Sequence, residues 1–332
     1  MGTNANPDSK IGIVGTGYWG KNLVRNYYEL GALKTICDTD KQTLATLTKM
    51  YEGVNATRDF NDLLENPEIE GIVISLPAEM HYQFAKRALE ADKHILVEKP
   101  LALKLEEAEE LVSLSRKNSR ILMVGHLMQY HPAFIRLKKM VLEGELGKIY
   151  YIYSNRLSLG KIRREENSLW SFAPHDISMI LSLCQEAPIR IYAIGGNYLQ
   201  HKIADVTVTH MTFPSGIKSH VFVSWLHPFK EQKLVVVGEE KMAVFSDIED
   251  WENKLLLYSH SMNWENGVPV PQKADPERIA VERIEPLRNE CLHFLECIEG
   301  NKQPVTDGPE GLSVLKVLQE AQSYLEMHSI EV

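Results

Sequence analysis

Ile11-Gly12-Ile13-Val14-Gly15-Thr16-Gly17-Tyr18-Trp19-Gly20 is the stretch on which the reading of the fold turns. Its first four residues are an apolar strand signal, and three glycines spaced G-x-G-x-x-G follow directly. Leu23, Val24 and Tyr27 then recur at helical spacing. In such a strand–turn–helix unit Gly15 permits the tight turn and Gly17 lets backbone N–H groups approach a diphosphate. Gly20 allows the helix to pack close to the strand. Asp38 follows about twenty residues on, at the end of a second apolar run, which is the spacing of a ribose-binding acid. A carboxylate there accepts from both ribose hydroxyls and repels a 2′-phosphate, so NAD rather than NADP is the expected cofactor. The plain alternative is an ordinary glycine turn with a capping aspartate.

Outward from this unit, apolar runs at 11–14, 33–37, 71–75, 94–97 and 121–124 alternate with amphipathic stretches such as 79–91 and 105–116. Short continuous strands separated by helices predict an α/β fold, a doubly wound parallel sheet of the Rossmann type over 10–128. After His131 the pattern changes. A helical stretch to about 143 precedes an alternating run at 148–158 and a helix at 168–183. Strand-like runs follow at 189–195, 206–213, 218–225, 233–237, 243–247 and 255–258. Pro214-Ser215-Gly216 separates two of them as a hairpin turn would, which predicts an antiparallel sheet in an α+β domain over 129–332. Residues 263–276 read as a polar, proline-containing loop. Two last helices, 286–299 and 308–327, have the length to pack back on the first domain.

The chain has 332 residues, 44% apolar and 24% charged, enough for two globular cores. A formal charge of −9 argues against general nucleic-acid binding. No apolar run approaches a membrane span, and residues 1–9 read as a frayed polar leader without a signal-peptide core. Cys37, Cys184, Cys291 and Cys297 form no Cys-x-x-Cys pair and no metal set, so reduced thiols in a cytoplasmic protein, with no metal, are expected.

Glu98-Lys99-Pro100 ends the run at 94–97, and ligands of such sheets sit beyond the carboxyl ends of strands. Beside a positive nicotinamide ring the Lys99 ammonium is disfavoured, and its pKa should fall toward neutrality. The side chain then can hydrogen-bond a substrate hydroxyl or help remove its proton. The alternative is a solvent-facing lysine after a strand.

These residues resemble the glucose–fructose oxidoreductase / inositol dehydrogenase / MocA family. The resemblance covers the glycine loop, Ser75-Leu76-Pro77 with His81, and the segment from Lys93 to Pro100. It continues through Gly144 to Lys148, the helix of His175, and the tail from Gly300 with Pro304 and Asp307. It implies a two-domain NAD(P) oxidoreductase of sugar or cyclitol hydroxyls. Its second domain carries an open, mainly antiparallel sheet that forms a homodimer or homotetramer. It also implies Lys99 and His175 as catalytic residues. The implied cofactor contacts are Gly15, Gly17, Tyr18, Trp19, Gly20, Asp38, Thr39, Ser75, Leu76, Pro77, His81, Glu98, Lys99 and Gln129. Many members place an aspartate one turn before the histidine. Here that position is Ser171, so an Asp–His dyad does not carry over and Asp176 is a poor replacement.

The segment from Asn155 to Ser178 is similar to the nucleotide-sugar branch of that family, the UDP-N-acetylglucosamine 3-dehydrogenases. That branch supplies a 3-keto sugar to a PLP-dependent aminotransferase in 2,3-diamino-sugar (lipid A-type) synthesis. Arg156, Lys161, Arg163 and Arg164 concentrate cations in an acidic chain, just before the His175 helix, and arginine forks suit a diphosphate. A solvated loop partly neutralised by Glu165 and Glu166 is the alternative. Trp170 stacks on a uracil or belongs to the core. The expected substrate contacts are Lys99, Gln129, Arg156, Arg163, Arg164, Trp170 and His175. Rival readings are a dehydrogenase of another sugar, of UDP-N-acetylglucosaminuronate or of inositol, and a non-catalytic NAD-binding sensor or scaffold.

Overall fold

A computed structural model describes residues 10–327, so the leader expected at 1–9 lies outside the described residues, as do 328–332. The chain forms two compact units. One comprises the described residues up to Leu127 with Glu285–Leu315, the other Met128–Ile284 with the described residues from Lys316 on.

In the first unit β1 (Ile11–Val14), α1 (Gly20–Glu29), β2 (Leu33–Cys37), α2 (Lys41–Met50), β3 (Asn55–Thr57) and α3 (Asn61–Glu65) come first. Then follow β4 (Gly71–Ile74), α4 (Ala78–Glu90), β5 (His94–Glu98), α5 (Leu105–Lys117) and β6 (Leu122–Gly125). The strands lie in the order β3-β2-β1-β4-β5-β6, every pairing parallel. All residues of β1, β4 and β6 are buried, which is why they read as unbroken apolar runs. The expected fourth and fifth strands are in fact β5 and β6. β3 was not legible because it has three residues, two of them exposed, at the sheet edge. Strand order reverses between β1 and β4, so the crevice beyond their carboxyl ends is where such a sheet binds a ligand.

Late in the chain, α8 (Pro286–Gly300) and the start of α9 (Gly308–Met327) belong to this unit. Phe294 and Ile298 of α8 press on β4, where a Cβ at Gly71 would come within 3.0 and 2.9 Å of them. The tail before α9 seals β6 through Val124 N donating to Thr306 O (2.8 Å) and Thr306 Oγ1 donating to Val124 O (2.7 Å).

The second unit begins with α6 (Pro132–Leu142), β7 (Ile149–Leu159) and α7 (Ser168–Cys184). Next are β8 (Arg190–Gly196), β9 (Val206–Thr212), β10 (Lys218–Ser224), β11 (Leu226–Gly238), β12 (Met242–Ser246) and β13 (Leu255–Tyr258). β14 (Ser261–Glu265), β15 (Val268–Gln272) and β16 (Glu277–Arg278) complete it. Eight strands take the order β16-β13-β12-β11-β7-β10-β9-β8, antiparallel except for β7 with β10. α7 packs on one face. Burial alternates accordingly, with Ile152, Val221, Val223, Leu234 and Val236 inside while Tyr192 and Ile194 are exposed on the other face.

Residues 263–276 are not a loop throughout. β14 and β15 form a hairpin around Asn266 (φ 50°) and Gly267 (φ 79°), the pair a two-residue turn with both φ positive requires. Pro269 and Pro271 argue against a central strand, but this two-stranded ribbon is all edge and tolerates them. Among the described residues no helix is long and apolar enough to cross a membrane.

Candidate active site

The glycine loop is built from close approaches. Gly15 has φ +85°, and a Cβ on it would stand 2.3 Å from Ser75 O, at the end of the adjoining β4. A Cβ on Gly20 would meet Gly15 O at 2.0 Å, so only glycine lets α1 start this close to the turn. Gly17 is different. Its own chain neighbours aside, no heavy atom of the described residues lies within 4 Å of the position its Cβ would take, so the space over its backbone is open. Tyr18 stands exposed beside it, over Lys21. At the end of β2 Asp38 Oδ2 accepts from Thr16 N (2.7 Å) and Thr16 Oγ1 (2.8 Å), while Oδ1 accepts from Asp40 N (3.0 Å). Burial pushes the Asp38 carboxyl up, but these donors outweigh it and hold its pKa below the ordinary value. Asp38 is therefore a fixed carboxylate at the mouth of the crevice, with Thr39 exposed after it. An open glycine backbone and a fixed acid fit the diphosphate and ribose of a dinucleotide.

β5 delivers Glu98, Lys99 and Pro100 to the same end of the sheet, and the Lys99–Pro100 peptide is cis. Three expected cofactor contacts, His81, Glu98 and Trp19, have other partners. His81 is buried, with Nδ1 2.7 Å from Pro100 O and Nε2 2.8 Å from Leu76 O, so it braces the Ser75-Leu76-Pro77 turn against the lysine turn. Both ring nitrogens of His81 are thus engaged by backbone carbonyls of the two turns. Burial first, and the Lys99 charge with it, lower the His81 pKa against the pull of the two carbonyls. Glu98 accepts from Trp19 Nε1 and lies against Gly125, where a Cβ would be 2.9 Å from Oε2. The Trp19 indole N–H and the Glu98 carboxylate are thus spent on each other.

Sequence reasoning missed Glu290 on α8. It is fully buried, and neither carboxylate oxygen has a hydrogen-bond partner among the described residues. Burial, then the charge of Glu98, push its pKa well up, so it is held as a neutral acid. The available signal was an acid on the apolar stripe of Leu287, Cys291 and Phe294. His126 at the end of β6, with Nδ1 2.6 Å from Glu310 Oε2, was also missed.

In the second unit α7 carries His175 half-buried, one turn after the buried Ser171. Asp176 is turned inward, where it accepts from Arg156 Nε (2.6 Å), Arg156 Nη2 (3.3 Å) and Ser154 Oγ. This corrects the reading of Arg156 as a diphosphate fork: it faces the covered side of β7, and its guanidinium is committed to Asp176. Burial opposes the Arg156 charge, but Asp176 holds its pKa above the ordinary value. Gln129 is buried as well, its amide donating to Ser178 O and Ser178 Oγ (both 2.9 Å), which leaves Oε1 as its unpartnered atom. Trp170 Nε1 donates to Gln322 Oε1 at 3.1 Å, which makes it part of the packing of α7 on α9. Arg163 pairs with Glu166 at 3.0 Å, whereas the Arg164 side chain is exposed and enters no ion pair among the described residues.

Comparison with known proteins agrees with this fold. Residues 9–126 match the family described as oxidoreductase family, NAD-binding Rossmann fold, and residues 134–244 match the GFO/IDH/MocA C-terminal domain. An uncharacterised oxidoreductase of Bacillus subtilis is 26% identical over 95% of this chain and 93% of its own. A UDP-N-acetylglucosamine 3-dehydrogenase of Acidithiobacillus ferrooxidans is 23% identical over 92% of this chain and 94% of its own. A solved structure of the enzyme of that name from the same organism superposes with a TM-score of 0.84 at 22% identity, covering 96% of this chain and 97% of that one.

Proposed function

Because the chain belongs to the GFO/IDH/MocA family of NAD-binding oxidoreductases, we propose that it oxidises the 3-hydroxyl of a nucleotide sugar. UDP-N-acetylglucosamine is the proposed substrate, and a PLP-dependent aminotransferase of 2,3-diamino-sugar (lipid A-type) synthesis the proposed consumer of the 3-keto product. The observation that carries the substrate reading is the cationic loop before α7. With Arg156 withdrawn into its pair and Arg163 bridged to Glu166, Lys161 and Arg164 remain there, and a neutral cyclitol has no use for them. The near full-length similarity to a UDP-N-acetylglucosamine 3-dehydrogenase supports the same reading.

Bound NAD⁺ supplies the hydride acceptor. The Gly15–Gly20 turn would hold its diphosphate on backbone N–H groups, and Asp38 would accept from its ribose hydroxyls. Lys99 donates to the substrate oxygen and stabilises negative charge as it develops. His175 takes the hydroxyl proton. The position one turn before His175 is Ser171 and the adjacent Asp176 is tied to Arg156, so neither gives His175 a carboxylate partner and Lys99 carries more of the proton transfer.

Four free cysteines suit a reducing compartment, and we place the protein in the cytoplasm. A second copy covers the face of the large sheet that α7 leaves open. Incubation with NAD⁺ and a panel of UDP-sugars, free sugars and inositols, with the product trapped by an aminotransferase, tests the assignment. NADH formation with UDP-N-acetylglucosamine above the free polyols is expected. Turnover of inositol or a free sugar alone refutes the nucleotide-sugar reading.

A further inference from the structure

Resting on that reading, we infer that the pocket between the loop before α7 and the loop joining β8 to β9 receives the nucleoside diphosphate end of the substrate. The pocket has a volume of about 410 Å³ and is lined by Ile162, Arg164, Leu199 and Gln200. Nothing in the sequence marks the second of these loops. Its composition is ordinary, and its partner lies some forty residues earlier in the chain.

The two loops are fastened together. Gln200 Nε2 donates to Arg163 O (2.7 Å), and Ser168 N at the start of α7 donates to Ala204 O (2.9 Å). The β8–β9 loop has its own anchor in Asp205, which is fully buried. Asp205 Oδ2 accepts from Tyr198 N (2.7 Å) and Leu199 N (2.8 Å), and Oδ1 accepts from the indole N–H of Trp225, also fully buried. A carboxylate placed this deep and this fully hydrogen-bonded fixes the backbone of Leu199 before any ligand arrives.

The lining divides by chemistry. Arg164 offers an unpaired fork for a diphosphate, and Lys161, His201 and Lys202 flank it in sequence on the two loops. Glu166 is occupied by Arg163, and Glu165 accepts from the Arg164 backbone N–H, so neither acid forms an ion pair with the Arg164 guanidinium. Ile162 and Leu199 are 41% and 50% exposed, apolar surface that a pyrimidine or ribose face would cover. Gln200 keeps its amide oxygen for a base N–H, since its nitrogen is spent on Arg163. The volume lies within the range of small-ligand pockets. Arg164 and Gln200 act as binding residues, and Asp205 positions the loop that presents Gln200.

The test is calorimetric titration of UDP, without its sugar, into the intact NAD-loaded protein and into Arg164→Ala, Gln200→Ala and Asp205→Asn. Each variant is expected to weaken UDP about tenfold or more and to raise KM for UDP-N-acetylglucosamine in step, with kcat and NAD⁺ affinity held. Unchanged NAD⁺ affinity is the check that the variants fold. UDP binding that is tight in the native protein and untouched in all three variants overturns the pocket and leaves the nucleotide-sugar reading standing. If the native protein binds no UDP and oxidises only free polyols, both fall together.

Discussion

Lys99 directly follows a buried strand, on a turn that His81 braces through Pro100 O, and the proposed mechanism gives its side chain the substrate oxygen. Lys99→Ala is expected to lower turnover about a hundredfold or more while NAD⁺ still binds; near-normal turnover would remove the residue from the mechanism. Glu290 presents the opposite case, a residue visible only in the structure. Its pKa is raised on folding, so the folded protein keeps a proton that the unfolded chain releases above the ordinary glutamate value. Its contribution is therefore favourable in acid and lost as pH rises through that window. Glu290→Gln should raise the melting temperature over native, by a margin that widens as pH rises above the ordinary glutamate value. A margin constant with pH contradicts a neutral acid at this position. Local geometry was legible where its determinant is local: Gly15, Gly20 and Asp38 are tied to one turn. They were not where the partner is remote. Trp170 and Gln322 are 152 residues apart, and the partners of His81 and Gln129 are 19 and 49 away.

At the scale of elements, β7 and α7 are clamped by the buried pair Arg156–Asp176 with Ser154 as a third member. Both ends are desolvated, so losing one strands the other. Asp176→Asn should destabilise the protein by about 3–5 kcal/mol, read as a lowered denaturant midpoint. Near-native stability would mean that Arg156 finds another partner or water. The sequence placed most helices and strands because their faces are consistently buried, with α5 and β1 as the plainest cases. The hairpin of β14 and β15 was missed because two prolines outweighed the Asn266-Gly267 turn signal. β3 gave no apolar run to read.

For the molecule as a whole, the family and the first domain were legible because the glycine loop and the Glu98-Lys99-Pro100 turn each follow a buried strand, and the second because its strand-like runs are punctuated by Pro214-Ser215-Gly216. The return of α8 to the first unit followed from its length alone, and its register on β4 did not. The outer face of the large sheet exposes Tyr192 and Ile194. If a second copy covers it, Tyr192→Asp with Ile194→Asp should shift the mass in light scattering toward the monomer. An unchanged mass would place any oligomer contact elsewhere. The central claim is hydride transfer from a sugar carbon to NAD⁺. UDP-N-acetylglucosamine deuterated at C3, mixed with the protein and NAD⁺, tests it most directly by mass spectrometry of the nicotinamide product. The deuteron should appear in NADH, and NADH formed without deuterium, or no NADH with the aminotransferase trap present, would contradict it.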